Sequence, residues 1–155
     1  MTMLAALALA LVLAAPVVAI APVAVANETV PTRPSAPVTT PAEDEYSKGI
    51  RAKRSKEWSV ATASFRKAVE LKPDYAEAWN ELGYALRNTG NYPESIKAYD
   101  EALRLKPRFP EALEYLGEAY VKMGRLDDAR QVLERLRPLH RGRAKELADE
   151  IAKAK

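Results

Sequence analysis

The chain has 155 residues, 48% of them hydrophobic and 29% charged, which is enough apolar content to bury the core of one modest domain. It contains no cysteine, which excludes disulfides, thiolate metal sites, cysteine nucleophiles and a diacylglycerol-modified N-terminal cysteine. Its formal net charge of +3 is too mild an excess to imply a nucleic-acid partner without a concentrated basic patch.

Met1 to Ala26 carries no ionisable side chain and is almost wholly Ala, Val, Leu and Ile. Ala24 and Ala26 frame an A-x-A cleavage site before Asn27, and Pro22 supplies a helix-ending bend just upstream, so residues 1–26 are expected to form a secretory signal peptide. The first residues lack Lys and Arg, and the apolar run is also long enough to span a bilayer, so an uncleaved N-terminal anchor is the alternative. Either way the remainder is expected to be exported, free in a bacterial periplasm or anchored at the inner membrane facing it. Residues 27–41 hold Pro31, Pro34, Pro37 and Pro41, a spacing at which neither helix nor sheet ladder persists. This Pro/Thr-rich stretch reads as a semi-rigid linker.

From residue 42 the chain repeats itself. Pro73 and Pro107 lie 34 residues apart, and at that period Gly49, Gly83 and Gly117 fall into register. A glycine inside a helix costs about 1 kcal/mol relative to Ala, so its recurrence calls for close approach of a second helix. Ala61, Ser95 and Ala129, then Ala68 and Ala102, are the small residues where that second helix is expected to meet the first. The large residues recur too: Trp58, Tyr92 and Leu126 at the turn, Phe65, Tyr99 and Leu133 inside the second helix, and Leu71, Leu105 and Leu139 near its end. They are expected to stack into one core running between layers.

The first copy, residues 42–75, has a polar first helix, with Glu45 and Lys48 where large apolar residues are expected, as suits an outermost layer. In the second copy, residues 76–109, Trp79, Leu82, Gly83 and Leu86 share one helical face. Gly90 then stands where a left-handed C-cap is wanted, and Asn91, Pro93 and Glu94 open the second helix in the manner of a capping box. The third copy, residues 110–143, keeps Leu113, Leu116, Gly117, Tyr120 and Gly124 but diverges at its end, where Leu136 replaces a small residue and Pro138 arrives early. Its second helix is expected to stop near Arg137. Residues 144–155 put Ala144, Leu147, Ala148 and Ile151 on one stripe of a short helix, read as a cap, with an amphipathic membrane helix as the alternative.

The stretch Ala76 to Pro107, with its W-x-x-L-G pattern at Trp79, Leu82 and Gly83, resembles one complete tetratricopeptide repeat, a helix-turn-helix unit of 34 residues. Leu86 replaces the Tyr usual in that pattern. The resemblance implies an all-α fold, an α-solenoid of three helix-turn-helix repeats plus a C-terminal capping helix.

Catalysis is not expected. The one histidine, His140, lies in a basic turn with no serine or cysteine at a motif spacing, and reads as a solvated surface residue. Glu43, Asp44 and Glu45, like Asp127 and Asp128, sit at helix starts and lack metal-ligand spacing, so neither metal nor cofactor is expected. In the family it resembles, the first helices line a concave groove. In the register above that groove takes Tyr46, Ile50, Lys53 and Arg54 from the first copy, Glu77, Asn80, Tyr84, Arg87 and Asn88 from the second, and Glu111, Glu114, Glu118, Val121 and Lys122 from the third. The implied role is a non-catalytic adaptor whose groove takes a protein or extended peptide. The grading from cationic to acidic suits a basic segment at the third copy. The same residues also read as solvated faces, with Glu118 and Lys122 paired at i, i+4. Family members that clamp a C-terminal carboxylate use Lys, Asn and Arg at places where this chain has Tyr46, Ile50, Glu81, Glu111 and Tyr115, so that mode is not expected. Basic clusters at Lys48, Arg51, Lys53, Arg54 and Lys56, and at Arg135, Arg137, Arg141 and Arg143, read as solvated faces. The rival role is a membrane-tethered structural protein, held by the uncleaved N-terminal helix with these basic surfaces near anionic lipid.

Overall fold

The computed structural model describes residues 39–154, so the expected signal peptide or anchor and nearly all of the expected linker lie outside the described residues. The described residues form seven helices and no strand: α1 Pro41–Arg54, α2 Trp58–Leu71, α3 Ala76–Asn88, α4 Tyr92–Leu105, α5 Pro110–Lys122, α6 Leu126–Leu136 and α7 Arg141–Lys153. The pairs α1/α2, α3/α4 and α5/α6 pack as hairpins, successive hairpins stack through α2 on α3 and α4 on α5, and α7 closes the array against α5 and α6. None of these helices is long and apolar enough to cross a membrane.

The helix boundaries follow local chemistry. Thr40 caps α1 in a capping box with Glu43, and Pro41 occupies the first turn, where its missing N–H costs nothing. The Asn91 side chain accepts the Glu94 N–H at the start of α4, and the His140 imidazole Nδ1 accepts the Arg143 N–H (3.2 Å) at the start of α7. His140 is exposed, and its structural work is to begin that helix. Each first helix ends in the same turn: the N–H of Glu57, Asn91 and Arg125 reaches back to the carbonyl of Ala52, Leu86 and Tyr120, at 2.9 Å each time. Such a turn needs a left-handed residue. Gly90 (φ 80°) and Gly124 (φ 71°) provide it, whereas the first repeat places Lys56 there at φ 58°.

The glycines at the helix crossings are required by large side chains. A Cβ on Gly49 would lie 2.6 Å from the Phe65 ring, and one on Gly83 would lie 2.6 Å from the Tyr99 ring. In the third repeat the equivalent residue is the shorter Leu133, and the hollow over Gly117 is filled from outside the repeat by Leu147 of α7. That insertion, with Ala144 and Ile151 buried beside it, is what docks the last helix. Ala61, Ser95, Ala129, Ala68 and Ala102 are fully buried between paired helices, and Leu136, in the place of Ala68 and Ala102, is buried with them.

The expectation of a uniformly buried large-residue set needs correction at both ends of the second helices, where Trp58, Tyr92 and Leu126 at the starts are only half-buried. Leu71 is 46% exposed, and Leu105 and Leu139 are only half-buried. They stand at or beyond the last turn of the second helices, and only Leu139 still packs against the core. The core divides into one cluster around Phe65, Leu82 and Leu86 and another around Tyr99, Leu113, Leu116 and Leu147, with Trp79 packed against both.

Candidate functional site

Most of the predicted groove residues lie on the exposed or half-buried faces of α1, α3 and α5 at spacings of three and four. At the centre is Tyr84, half-buried, with its ring 5.9 Å from Trp58 and 5.1 Å from Tyr115, centroid to centroid. Two cations lie over these rings. The Lys53 Nζ is 4.2 Å from the Tyr84 centroid, and the Arg87 guanidinium is 5.3 Å from Tyr84 and 5.0 Å from Tyr115. A cation over a ring face is worth roughly 0.5–1 kcal/mol when exposed and more when desolvated.

The same cations hold successive first helices together. Lys53 of α1 pairs with Glu81 of α3 (2.5 Å), Arg87 of α3 pairs with Glu118 of α5, and Arg143 of α7 pairs with Glu111 (3.2 Å) and Glu114 of α5. These partly desolvated pairs form a ladder from α1 to α7. The more exposed Arg66–Glu94 and Lys106–Glu77 pairs contribute under about 1 kcal/mol each.

Two predicted groove residues are not available to a ligand. Asn80 and Glu114 are each only 4% exposed. Together with Tyr46 they occupy one repeat position, and it faces the seam toward the next layer. Tyr46 stacks there on Phe65 (5.7 Å) and Tyr75 (5.0 Å), and Glu114 is covered by Arg143. Burial, with a further push from the Glu81 charge, raises the Tyr46 hydroxyl pKa to about 12. Burial also lifts the Glu114 carboxyl above the usual carboxylate range, against the pull of Arg143. Nor is there an open acidic row at the third copy, because Glu111, Glu114 and Glu118 are all ion-paired.

Of the other predicted residues, Ile50 and Val121 are half-buried, with Val121 leaning on the core. Asn88 is exposed and donates its amide to the Tyr84 carbonyl (2.8 Å). Arg54 and Lys122 are exposed, and Glu77 is taken by Lys106. The groups missed from the sequence are Trp58, Tyr115, Glu81 and Arg143. Their signal is the separation of their partners: Lys53 to Glu81 is 28 residues and Glu114 to Arg143 is 29, a little under one repeat. Among the described residues no group of His, Asp and Glu is disposed to hold a metal ion.

A second hollow, apolar and about 520 Å³ in volume, opens on the opposite face between α2 and α4, floored by Val69, Leu82, Leu86 and Ala98 and walled by Trp79. The indole Nε1 fixes that wall by donating to the Pro73 carbonyl (2.9 Å).

Two models of the tetratricopeptide repeat match the chain, over residues 83–124 and 64–97. An uncharacterized protein of Methanocaldococcus jannaschii is 36% identical over 58 residues, which cover 37% of this chain and 67% of that protein. Among solved structures, the TPR2B domain of yeast Sti1, in a complex with pHsp70, superposes with a TM-score of 0.68 at 20% identity over 73% of this chain and 94% of that one. The second TPR domain of human RPAP3, in complex with the HSP70 peptide SGPTIEEVD, gives 0.67 at 21% identity over 73% and 93%. With helix pairs recurring every 34 residues on both sides of the matched segments, the chain belongs to the tetratricopeptide-repeat family.

Proposed function

We propose that this protein is a non-catalytic adaptor that holds an extended peptide or protein segment against the face formed by α1, α3 and α5. The observation that carries this reading is the platform of Trp58, Tyr84 and Tyr115, braced by Lys53 and Arg87 and left partly open to solvent. Rigid aromatic area whose geometry is set before binding lowers the entropic cost of holding a flexible chain. The yeast and human domains named above are in complexes with pHsp70 and an HSP70 peptide, which supports a peptide-binding role for the shared architecture. The carboxylate-clamping mode is not proposed, since Tyr46, Ile50, Glu81, Glu111 and Tyr115 stand where its Lys, Asn and Arg donors are required.

The adaptor is placed in the bacterial cell envelope on the strength of residues 1–26, whose apolar run and A-x-A ending fit export. The platform is tested by pull-down from a periplasmic extract with wild type and with Tyr84→Ser, whose helical content and melting are followed in parallel. Loss of the captured partner by a variant that remains helical is expected. Recovery at wild-type yield would remove the platform from the site. Fractionation tests the envelope reading: a soluble periplasmic pool supports the adaptor, and membrane association that survives high salt supports a tether.

A further inference from the structure

Five carboxylates that the first helices place on the groove face are held by a cation of this chain: Glu77 by Lys106, Glu81 by Lys53, Glu118 by Arg87, and Glu111 and Glu114 by Arg143, whereas Glu43, at the repeat position of Glu77 and Glu111, accepts the Thr40 N–H in the α1 capping box. At the C-terminal ends of α1 and α5 some cations are not held, whereas Lys53 and Arg87 in the last turns of α1 and α3 are. Arg54, Asn88 and Lys122 are the last residues of α1, α3 and α5, and all three are exposed. Neither Arg54 nor Lys122 has an ion-pair partner among the described residues, and Arg51 and Lys56, also exposed and unpaired, flank Arg54. Lys153, the last residue of α7, shares a shallow groove with Lys122 and Glu150. Acids lie along this edge as well: Glu57 follows Arg54, and Glu118, Asp127 and Asp128 flank Lys122 in sequence, but the last three are paired with Arg87, Arg130 and Arg125. The opposite edge carries the acids, with Glu43, Asp44, Glu77 and Glu111 in the first turns of α1, α3 and α5, although Lys106 and Arg143 hold Glu77 and Glu111. Helix dipoles favour this polarity but do not require the cations to stay unpaired.

Resting on the groove reading above, we infer that the partner is an acidic, extended protein segment running along this edge from α1 to α5. Its carboxylates meet Arg54 and Lys122, the exposed Asn88 lies between them, and its apolar side chains rest on Trp58 and Tyr84. Stacked helices stand roughly 10 Å apart, so Arg54 and Lys122, two steps apart, are separated by roughly 20 Å, and acids about six residues apart in an extended chain match them. The edge adjoins the aromatic platform and is interrupted by Asn88, which suits a peptide better than the closely spaced phosphates of a nucleic acid.

The test pans the full chain against a displayed library of random peptides of roughly twelve residues, comparing wild type, Arg54→Glu/Lys122→Glu and Tyr84→Ser. Peptides recovered on wild type are expected to be rich in Asp and Glu. Synthetic copies with amidated C-termini are expected to bind the charge-reversed variant roughly tenfold more weakly, as two exposed attractions become repulsions, and to weaken as salt rises. Peptides without acidic bias, still lost on Tyr84→Ser, would overturn the acidic partner and leave the platform standing. Recovery of no peptide on wild type, or of peptides insensitive to both variants, would overturn both readings. Sedimentation of the chain with phosphatidylglycerol vesicles, lost on charge reversal while peptides show no acidic bias, would assign the edge to lipid and overturn the inference.

Discussion

Gly83→Ala tests the account of how the repeats close. The added Cβ would lie 2.6 Å from Cε1 and 2.8 Å from Cδ1 of Tyr99, a ring with no exposed surface and no free side toward which to turn. Relieving such an overlap in a packed core costs about 3 kcal/mol at the upper end, while replacing a mid-helix Gly by Ala returns about 1 kcal/mol, leaving a loss of about 2 kcal/mol. Gly117→Ala is the control. Its Cβ meets Leu147 Cδ2 at 2.4 Å and Cδ1 at 2.8 Å, but these methyls end a buried side chain on the terminal helix, which packs only on α5 and α6 and can yield with it. A rotamer change costing about 1 kcal/mol is offset by the gain in helix propensity, so the net effect is near zero. Urea unfolding followed by far-UV circular dichroism is expected to separate the two variants by about 2 kcal/mol, or roughly 8 °C in melting temperature. In Gly83→Ala/Tyr99→Leu part of the loss is expected to return as a coupling of about 1 kcal/mol. Equal stability of the two single variants, or strict additivity in the double, would refute the ring-over-glycine account.

Two further outcomes follow from the backbone and the ion-pair ladder. Lys56 stands at φ 58° where the next two repeats have glycine, so Lys56→Gly is expected to stabilise the chain by about 0.5–1 kcal/mol in the same unfolding assay, strain relief exceeding the entropy of the unfolded glycine. Arg143→Met removes the cation from Glu114, whose pKa is already raised by burial, and is expected to cost about 2 kcal/mol at neutral pH, discounted from a fully buried pair because Arg143 retains 27% side-chain exposure. A carboxyl whose folded pKa lies above its unfolded value destabilises the fold above that folded pKa and ceases to do so below the unfolded one. Part of the loss should therefore return as pH falls from neutral into the ordinary carboxylate range. A deficit that stays constant across that window in urea titrations would show that Glu114 is not the source.

Much of the fold was legible because it rests on local chemistry repeated at a fixed period. Gly90 and Gly124 mark left-handed turns, Asn91 a cap, and Gly49 and Gly83 close crossings, each needing no knowledge of distant residues. The end of α6 at Leu136 agrees with the stop expected near Arg137. The candidate site was less legible, because exposure on one helix depends on what the next layer puts against it. A helical wheel puts Asn80 and Glu114 on the same outward face as Tyr84, but stacking turns their repeat position into a seam.

By itself, then, the sequence determined the helices, their caps, their pairing into hairpins and the period of stacking, since those depend on residue type at short range and on a pattern repeated three times. Only the tertiary structure decided which side chains remain free. Leu147 enters the Gly117 hollow because Leu133 is too short to fill it, and Arg143 then reaches Glu111 and Glu114 from the same helix. Lys53 and Arg87 turn from presumed ligand contacts into braces between layers. Charge neutralisation between residues about 30 positions apart is a property of the stacked array, and it leaves Arg54 and Lys122 among the unpaired charges of this face.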